Sequence, residues 1–368
     1  MKALLKGLSA VLLLALSACG AASSAPAPSS AGSGAVSTAA KPAGSASTAA
    51  KPSGSAATSA SGGPKEKIRA GYLSHSTTST IEFISKAAGL YDKYGLDVGL
   101  TYVEPAVLTT ALNAGRDFDV GYASAANIPT INVKGGDLVM IAGSAQGGIF
   151  SMVANPAIQG IADLKGKKTA VTSSGSTTDL LLRKVLQDNN LTPGKDVSVV
   201  VVQGDSALVA ALISHQVDAI VNSEPFTSVA VAQGGKVIYD QSATHERAIQ
   251  TPVTVKRSYL PAHRDALKRL LMANMEAIHM IKTDPAAAAK YALPDMGMDD
   301  AAVLEKALVH AGQGMDPDMD MPLDYLAASL KIAAANVPEV AKLKPEDLVD
   351  VSLLQEIKAS GFIDQLYK

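Results

Sequence analysis

The chain has 368 residues, with 32 Lys and Arg against 34 Asp and Glu, one cysteine and no tryptophan. So even a balance, without a basic stripe, gives nucleic acid no electrostatic footing, and a single cysteine excludes an internal disulfide or a cysteine metal cluster. At this length two domains with separate cores are expected.

Lys2 and Lys6 precede an apolar run, Leu8 to Leu16, closed by Leu16-Ser17-Ala18-Cys19. The run is too short to cross a bilayer, so residues 1–18 read as an export signal. Its last four residues resemble the lipobox of bacterial lipoproteins, which implies cleavage before Cys19, acylation of that cysteine, and a lipid anchor in which each buried methylene contributes about 0.8 kcal/mol. Residues 20–64 are almost wholly Ala, Ser, Gly, Thr and Pro, with two lysines and no acid, and Ser37 to Ala46 nearly recurs as Ser47 to Ala56. Such a segment buries too little to offset the entropy of ordering, so it reads as a disordered tether.

Lys67 to Leu73 reads as a strand and Ser79 to Leu90 as a helix, with Ile81, Ile84, Ala87 and Ala88 at helical spacing and Ser79-Thr80-Ile81-Glu82 as a capping box. Strands at Leu96–Val103 and Phe118–Tyr122 and helices at Ala106–Ala114 and Ser124–Val133 follow, with Leu138–Ala142 and Phe150–Ala154 completing the strands of a first lobe. A second lobe alternates in the same way. Its strands are Lys168–Thr172, Val197–Val202 and Ala219–Val221, and its helices Ser176–Asp188, Asp205–Ser214 and Pro225–Gln233. The run Val197–Val202, apolar apart from Ser198, predicts a central parallel strand, and the alternation predicts parallel sheets covered on both faces. Thr251–Lys256 carries the chain back, and helices from Pro261 onward cover the first lobe. The expected lobes are therefore 65–155 with 252–368, and 156–251.

The two lobes repeat each other. Lys67 to Thr78 and Lys167 to Thr178 share Lys, Ala, Ser and Ser-Thr-Thr at one constant offset. In parallel sheets ligands bind beyond the carboxyl ends of the strands, which nominates four turns: Ser74 to Thr78, Tyr122 to Asn127, Ser173 to Thr178 and Asn222 to Glu224. The candidate ligand-binding residues are Ser74, His75, Ser76, Thr77, Tyr122, Ser124, Ser174, Gly175, Ser176, Thr177, Asn222 and Glu224. Hydroxyls beside unpaired helix N–H groups suit a small anion or a polar acceptor, though each can instead cap its own helix. Glu224 either accepts from the ligand or sits in the first turn of its helix, and His75 either donates to an anion or is plain surface.

Enzyme chemistry finds no motif. No two histidines lie within one helical turn, and neither Gly-x-Ser-x-Gly nor Gly-x-x-x-x-Gly-Lys occurs. Asp316-Pro317-Asp318-Met319-Asp320 imitates a calcium loop but continues with Met321 where glycine is needed, so it reads as a polar loop. No metal or cofactor is expected. The five methionines from Met296 to Met321 read as gap fillers between terminal helices.

Ile68-Arg69-Ala70-Gly71-Tyr72, Ala88-Gly89-Leu90-Tyr91, Gly95-Leu96-Asp97-Val98, Leu112-Asn113-Ala114-Gly115 with Asp119-Val120-Gly121, Asp163-Leu164-Lys165-Gly166 and Val217-Asp218-Ala219 stand in the order found in substrate-binding proteins of ABC importers. The chain resembles the sulfonate-, nitrate-, taurine- and thiamine-precursor-binding group over residues 67–260. That resemblance implies an α/β type II periplasmic-binding-protein fold, two βα lobes joined by two hinge strands that close around a small polar or anionic organic solute, of sulfonate, carboxylate, nitrate or pyrimidine type. It further implies a non-enzymatic, monomeric, lipid-anchored extracytoplasmic receptor whose partners are a permease and its ATPase. A ligand-sensing lipoprotein of the same fold is the alternative, and an exported enzyme a more distant one. Thiamine-pyrimidine synthases of this fold use a cysteine cluster, which this chain lacks.

Overall fold

The computed structural model describes residues 64–144, 148–244 and 249–368. The export signal, Cys19 and the tether up to residue 63 lie outside the described residues.

Among the described residues ten strands form two mixed sheets. Along the chain they are β1 (Glu66–Tyr72), β2 (Leu96–Tyr102), β3 (Val120–Tyr122), β4 (Leu138–Ala142), β5 (Phe150–Ala154), β6 (Lys168–Val171), β7 (Ser198–Val201), β8 (Ala219–Ser223), β9 (Lys236–Asp240) and β10 (Val253–Lys256). The first sheet has the order β2-β1-β3-β10-β4 and the second β7-β6-β8-β5-β9. In each, four strands run one way and the fourth in order runs against them: β10 against β3 and β4, β5 against β8 and β9.

The topology corrects three expectations. Phe150–Ala154 belongs to the second sheet, because its backbone pairs with β8 and β9, so the chain crosses before residue 150 rather than after 155. The sheets are mixed because each takes its antiparallel strand from one of the two crossing segments. Val197–Val202 is not central. Its strand lies at the edge beside β6 alone and Val201 is half exposed, an arrangement a run of valines does not distinguish from a central strand. Strand β9 escaped the sequence reading because Lys236-Val237-Ile238-Tyr239-Asp240 is short and lies at the sheet's other edge.

The buried sides explain the strands. In β1 the exposed Lys67 and Arg69 alternate with the buried Ile68 and Ala70, and β8 is buried at all five residues. Burying each such Ile or Val contributes about 1.5–3 kcal/mol. A Cβ on Gly71 would overlap Leu108 Cδ1, and one on Gly121 would lie 2.9 Å from Leu112 Cδ2, so both glycines let helix Pro105–Ala114 lie flat on the sheet. The helices Arg264–Thr283, Pro285–Ala292, Ala301–Gln313 and Ser352–Ala359 join the core of the first sheet. Met296, Met315 and Met319 are buried in the same core, and Met298 packs against it, whereas Met321 is buried in a neighbouring cluster with Leu326 and Leu330. In the Asp316 loop, Asp316 Oδ1 accepts the Asp318 amide at 2.8 Å and Asp318 pairs with Lys358 at 2.8 Å.

Candidate ligand cleft

The carboxyl ends of β1, β3, β6 and β8 face one cavity of about 540 Å³, its mouth included. Ten Ser and Thr residues line it. Ser74, Ser76, Thr78, Ser124 and Thr251 come from the first sheet's loops, and Thr172, Ser176, Thr177, Thr178 and Ser223 from those of the second.

Two rings of hydroxyls organise this wall. Beyond β1, Ser74 Oγ lies 2.7 Å from both Ser76 Oγ and Thr78 Oγ1, which are 3.0 Å apart. Beyond β6, Thr172 Oγ1 lies 3.3 Å from Ser176 Oγ and 3.0 Å from Thr178 Oγ1, which are themselves 2.9 Å apart. The sequence repeat matches Ser74 with Ser174, yet the third member of the second ring is Thr172. The turn there, with Gly175 at a left-handed φ of 75°, carries Ser174 out to solvent. Each ring also starts a helix. Ser76 Oγ accepts from the Thr78 amide at 3.4 Å, and Ser176 Oγ from the Asp179 amide at 3.4 Å, so capping and cavity lining are both performed by the same side chains.

Two contacts join the walls across the cavity. The Thr77 amide and hydroxyl both donate to the Glu224 carbonyl oxygen, at 2.9 and 3.0 Å, and Ser124 Oγ meets Thr177 Oγ1 at 3.0 Å.

Of the residues nominated from sequence, Ser74, Ser76, Ser124, Ser176 and Thr177 line the cavity. The others have different work. Thr77 is buried and holds the cross-cleft contact. Tyr122 is 1% exposed, with its hydroxyl 3.0 Å from that of Tyr91 and accepting from Asn274 Nδ2 at 2.8 Å, so it belongs to the core of the first sheet. Burial raises its phenol well above the usual range. Asn222 is fully buried and spans Asp205 O and the Ser223 amide at 3.0 and 2.9 Å, shaping the loop from behind. Glu224 turns its carboxylate away from the cavity to accept from the Ser228 amide at 3.2 Å, which is the helix-start alternative. The Gly175 amide donates to Asp179 Oδ2 at 2.8 Å. The expected capping box is absent as such: Ser79 makes no side-chain cap bond.

His75 occupies a second cavity of about 690 Å³ that shares Tyr102, Gly204 and Asp205 with the first and is also walled by Phe226 and the Pro294–Gly297 turn. Its Nδ1 donates to the Asp295 carbonyl at 2.5 Å, and its ring lies 5.3 Å from that of Tyr102 and 5.5 Å from that of Tyr72.

Asp205, at the start of helix Asp205–Ile213, went unnoticed in the sequence because no repeat marks it; the signal available was its place directly after β7. It is the one carboxylate lining the hydroxyl cavity, and no Lys, Arg or His lines that cavity with it among the described residues. Burial pushes its carboxyl up to about 6, with His75 opposing the rise and Glu104 adding to it.

Residues 61–294 match the family model described as the NMT1-like family. The chain belongs to the NMT1-like family. Among curated proteins, binding proteins of Brucella abortus strain 2308 and Brucella suis biovar 1 are each 31% identical over 156 residues, 41% of this chain and 46% of theirs. The chain thus spans less than half the length of these relatives. Among solved structures, a protein of Bordetella bronchiseptica RB50 is 24% identical with a TM-score of 0.72, covering 80% of this chain and 98% of that one. The alkanesulfonate-binding protein of Xanthomonas axonopodis pv. citri is 20% identical with a TM-score of 0.64, over 78% and 99% of the two chains. The periplasmic nitrate-binding protein of Synechocystis PCC 6803 is 17% identical with a TM-score of 0.62, over 80% and 89%. At these identities the structural likeness establishes the periplasmic-binding-protein fold of this NMT1-like chain.

Proposed function

We propose that this chain is the solute-binding component of an ABC import system, anchored on the extracytoplasmic side of a bacterial membrane by an acylated Cys19. It captures a small polar organic solute between lobes formed on the two sheets and delivers it, as a monomer, to a permease and its ATPase. The observation that carries this reading is the hydroxyl cavity, walled equally from both sheets and bridged by Thr77–Glu224 and Ser124–Thr177. A ligand there touches both walls only when they meet, so binding selects the closed population. A ligand-binding component of an ABC-type import system from Staphylococcus aureus has the same fold, at 17% identity and a TM-score of 0.66. Among the described residues the wall also holds no hydroxyl set beside a base and an orienting group, which favours carriage over catalysis.

The test is a thermal-shift screen of the full chain in mild detergent against sulfonates, carboxylates, nitrate, amides, amines, pyrimidines and flavins. A solute at a hundred times its dissociation constant adds about 2.7 kcal/mol, several degrees for a protein of this size, and is recovered chemically unchanged. A screen in which nothing shifts the midpoint, or in which the bound solute comes back transformed, refutes the proposal. The anchor is tested separately by labelled palmitate, expected in the wild type and lost in Cys19→Ala.

A further inference from the structure

The hydroxyl protons of the cavity wall can be accounted for one by one. A hydroxyl carries one proton and two lone pairs. In the ring of Ser74, Ser76 and Thr78, three protons serve three oxygen–oxygen contacts, whichever way each points. In the ring of Thr172, Ser176 and Thr178, three protons face three such contacts and also the Ser173 carbonyl, 2.7 Å from Ser176 Oγ. Thr251 and the underlying Ser144 contact each other at 2.8 Å and the carbonyl oxygens of Thr251 and Thr78 at 2.6 and 3.5 Å, which occupies both of their protons. The Tyr102 phenol donates to Glu104 at 2.8 Å. One contact between Ser124 and Thr177 leaves one proton over, and Ser223 holds another. Of ten wall hydroxyls, two therefore have a proton free to turn toward a ligand.

Acceptors remain in better supply. Thr78 keeps a lone pair beyond its ring contacts, Ser223 keeps its own, and the Asp205 carboxylate lines the same cavity. The helix start at Thr177, which by itself would favour negative charge, already faces a buried carboxylate: Asp179 accepts from the Gly175 amide at 2.8 Å and from Arg183 at 2.8 Å. On the first-sheet side the Thr77 amide is occupied by the Glu224 carbonyl. Among the described residues, an anion entering here would find two free hydroxyl protons and the first amides of the helix at Thr177, and would meet the Asp205 carboxylate with no Lys, Arg or His lining the cavity beside it. Leaving polar groups so mismatched is what binding sites reject most strongly.

We infer that the head of the solute is an N–H donor, uncharged or cationic, such as an amide, amidine or amine, and not a sulfonate, carboxylate or nitrate. The inference rests on the solute-binding reading and narrows its ligand. Asp205, on the boundary of both cavities, accepts from the head, and the second cavity, flanked by His75, Tyr102 and Phe226, has room for a flat remainder.

Matched probes test this on the full chain by calorimetry and thermal shift: acetamidine, acetamide, acetate and methanesulfonate, and the ring-bearing set benzamidine, benzamide, benzoate and benzenesulfonate. The amidine or amide of at least one set should bind at least tenfold more tightly than its acid and sulfonate. In Asp205→Asn, amidine binding should fall at least tenfold while amide binding stays within threefold, and an unchanged ligand-free melting midpoint confirms folding. Tighter binding of the anions, silence from every amidine and amide, or an Asp205→Asn variant that binds amidine as before each overturns the inference. The receptor reading survives those outcomes if any solute of the wider screen binds and is recovered unchanged, and falls if that screen is silent or returns a transformed solute.

Discussion

The amide and the hydroxyl of Thr77 converge on a single acceptor, the carbonyl oxygen of Glu224, reached from the opposite sheet at 2.9 and 3.0 Å. Two bonds to one main-chain oxygen fasten the end of β1 to the end of β8 without any charged group. Thr77→Val keeps the shape and the amide bond but removes the hydroxyl. A hydrogen bond of this kind contributes about 0.5–1.5 kcal/mol, so solute affinity should fall by a few-fold to about tenfold, with the ligand-free unfolding midpoint little changed. Calorimetric titration of the solute found in the screen decides it; equal affinities would show that this contact takes no part in closure.

The two members of the repeat at Ser174 and Thr178 should separate cleanly. Thr178 is buried in its ring and lines the cavity, whereas Ser174 is exposed beside it. Thr178→Val should cost about 0.5–1.5 kcal/mol of binding, and Ser174→Ala less than about 0.5 kcal/mol in binding or stability. Comparable losses in both would place the cavity wall wrongly.

Tyr122 is a matter of stability, not of recognition. Its hydroxyl accepts from Asn274 at 2.8 Å and meets Tyr91 at 3.0 Å in the core of the first sheet. Tyr122→Phe strands the Asn274 amide, so urea unfolding should show a loss of about 1–3 kcal/mol with solute affinity retained. A variant that is fully stable yet blind to solute would contradict this.

Glu82 gives the fold a pH dependence. It is fully buried, and burial pushes its carboxyl up to about 8. The folded state thus holds this proton more tightly than the unfolded chain, whose carboxyl titrates near 4.5. Its share of stability is complete below about pH 4.5 and is lost as pH rises toward 8, by up to about 1.4 kcal/mol per unit. Glu82→Gln cannot ionise, so its unfolding free energy relative to wild type should rise steadily between pH 5 and 8. Parallel stability curves for the two proteins would refute the assignment.

Much of the architecture is legible in the residues because it is local. Ile68 and Ala70 alternate with charged neighbours in β1, and Gly115 follows a helix that ends where expected, at Ala114. The repeat of Ser-Thr-Thr located both ends of the cleft, and five nominated residues line it. What failed were positions whose meaning depends on partners far along the chain. Tyr122 lies one residue before the loop that lines the cavity, and in a strand adjacent residues face opposite sides. Only the packing of Tyr91 and Asn274 decides which side is core. Glu224 and Asp205 show the same limit in opposite senses, one pointing back to its own helix and the other lining the cavity.

The sequence by itself determined that two βα halves resemble each other and that hydroxyl-rich turns close the strands of both, since periodicity and turn composition act within a few residues. Tertiary structure decided which strand changes sheet, that Thr172 and not Ser174 completes the second hydroxyl ring, and that the cavity's charge is a carboxylate. Those outcomes rest on side-chain direction and on contacts between residues tens of positions apart, and such contacts exist only once the two sheets have come together.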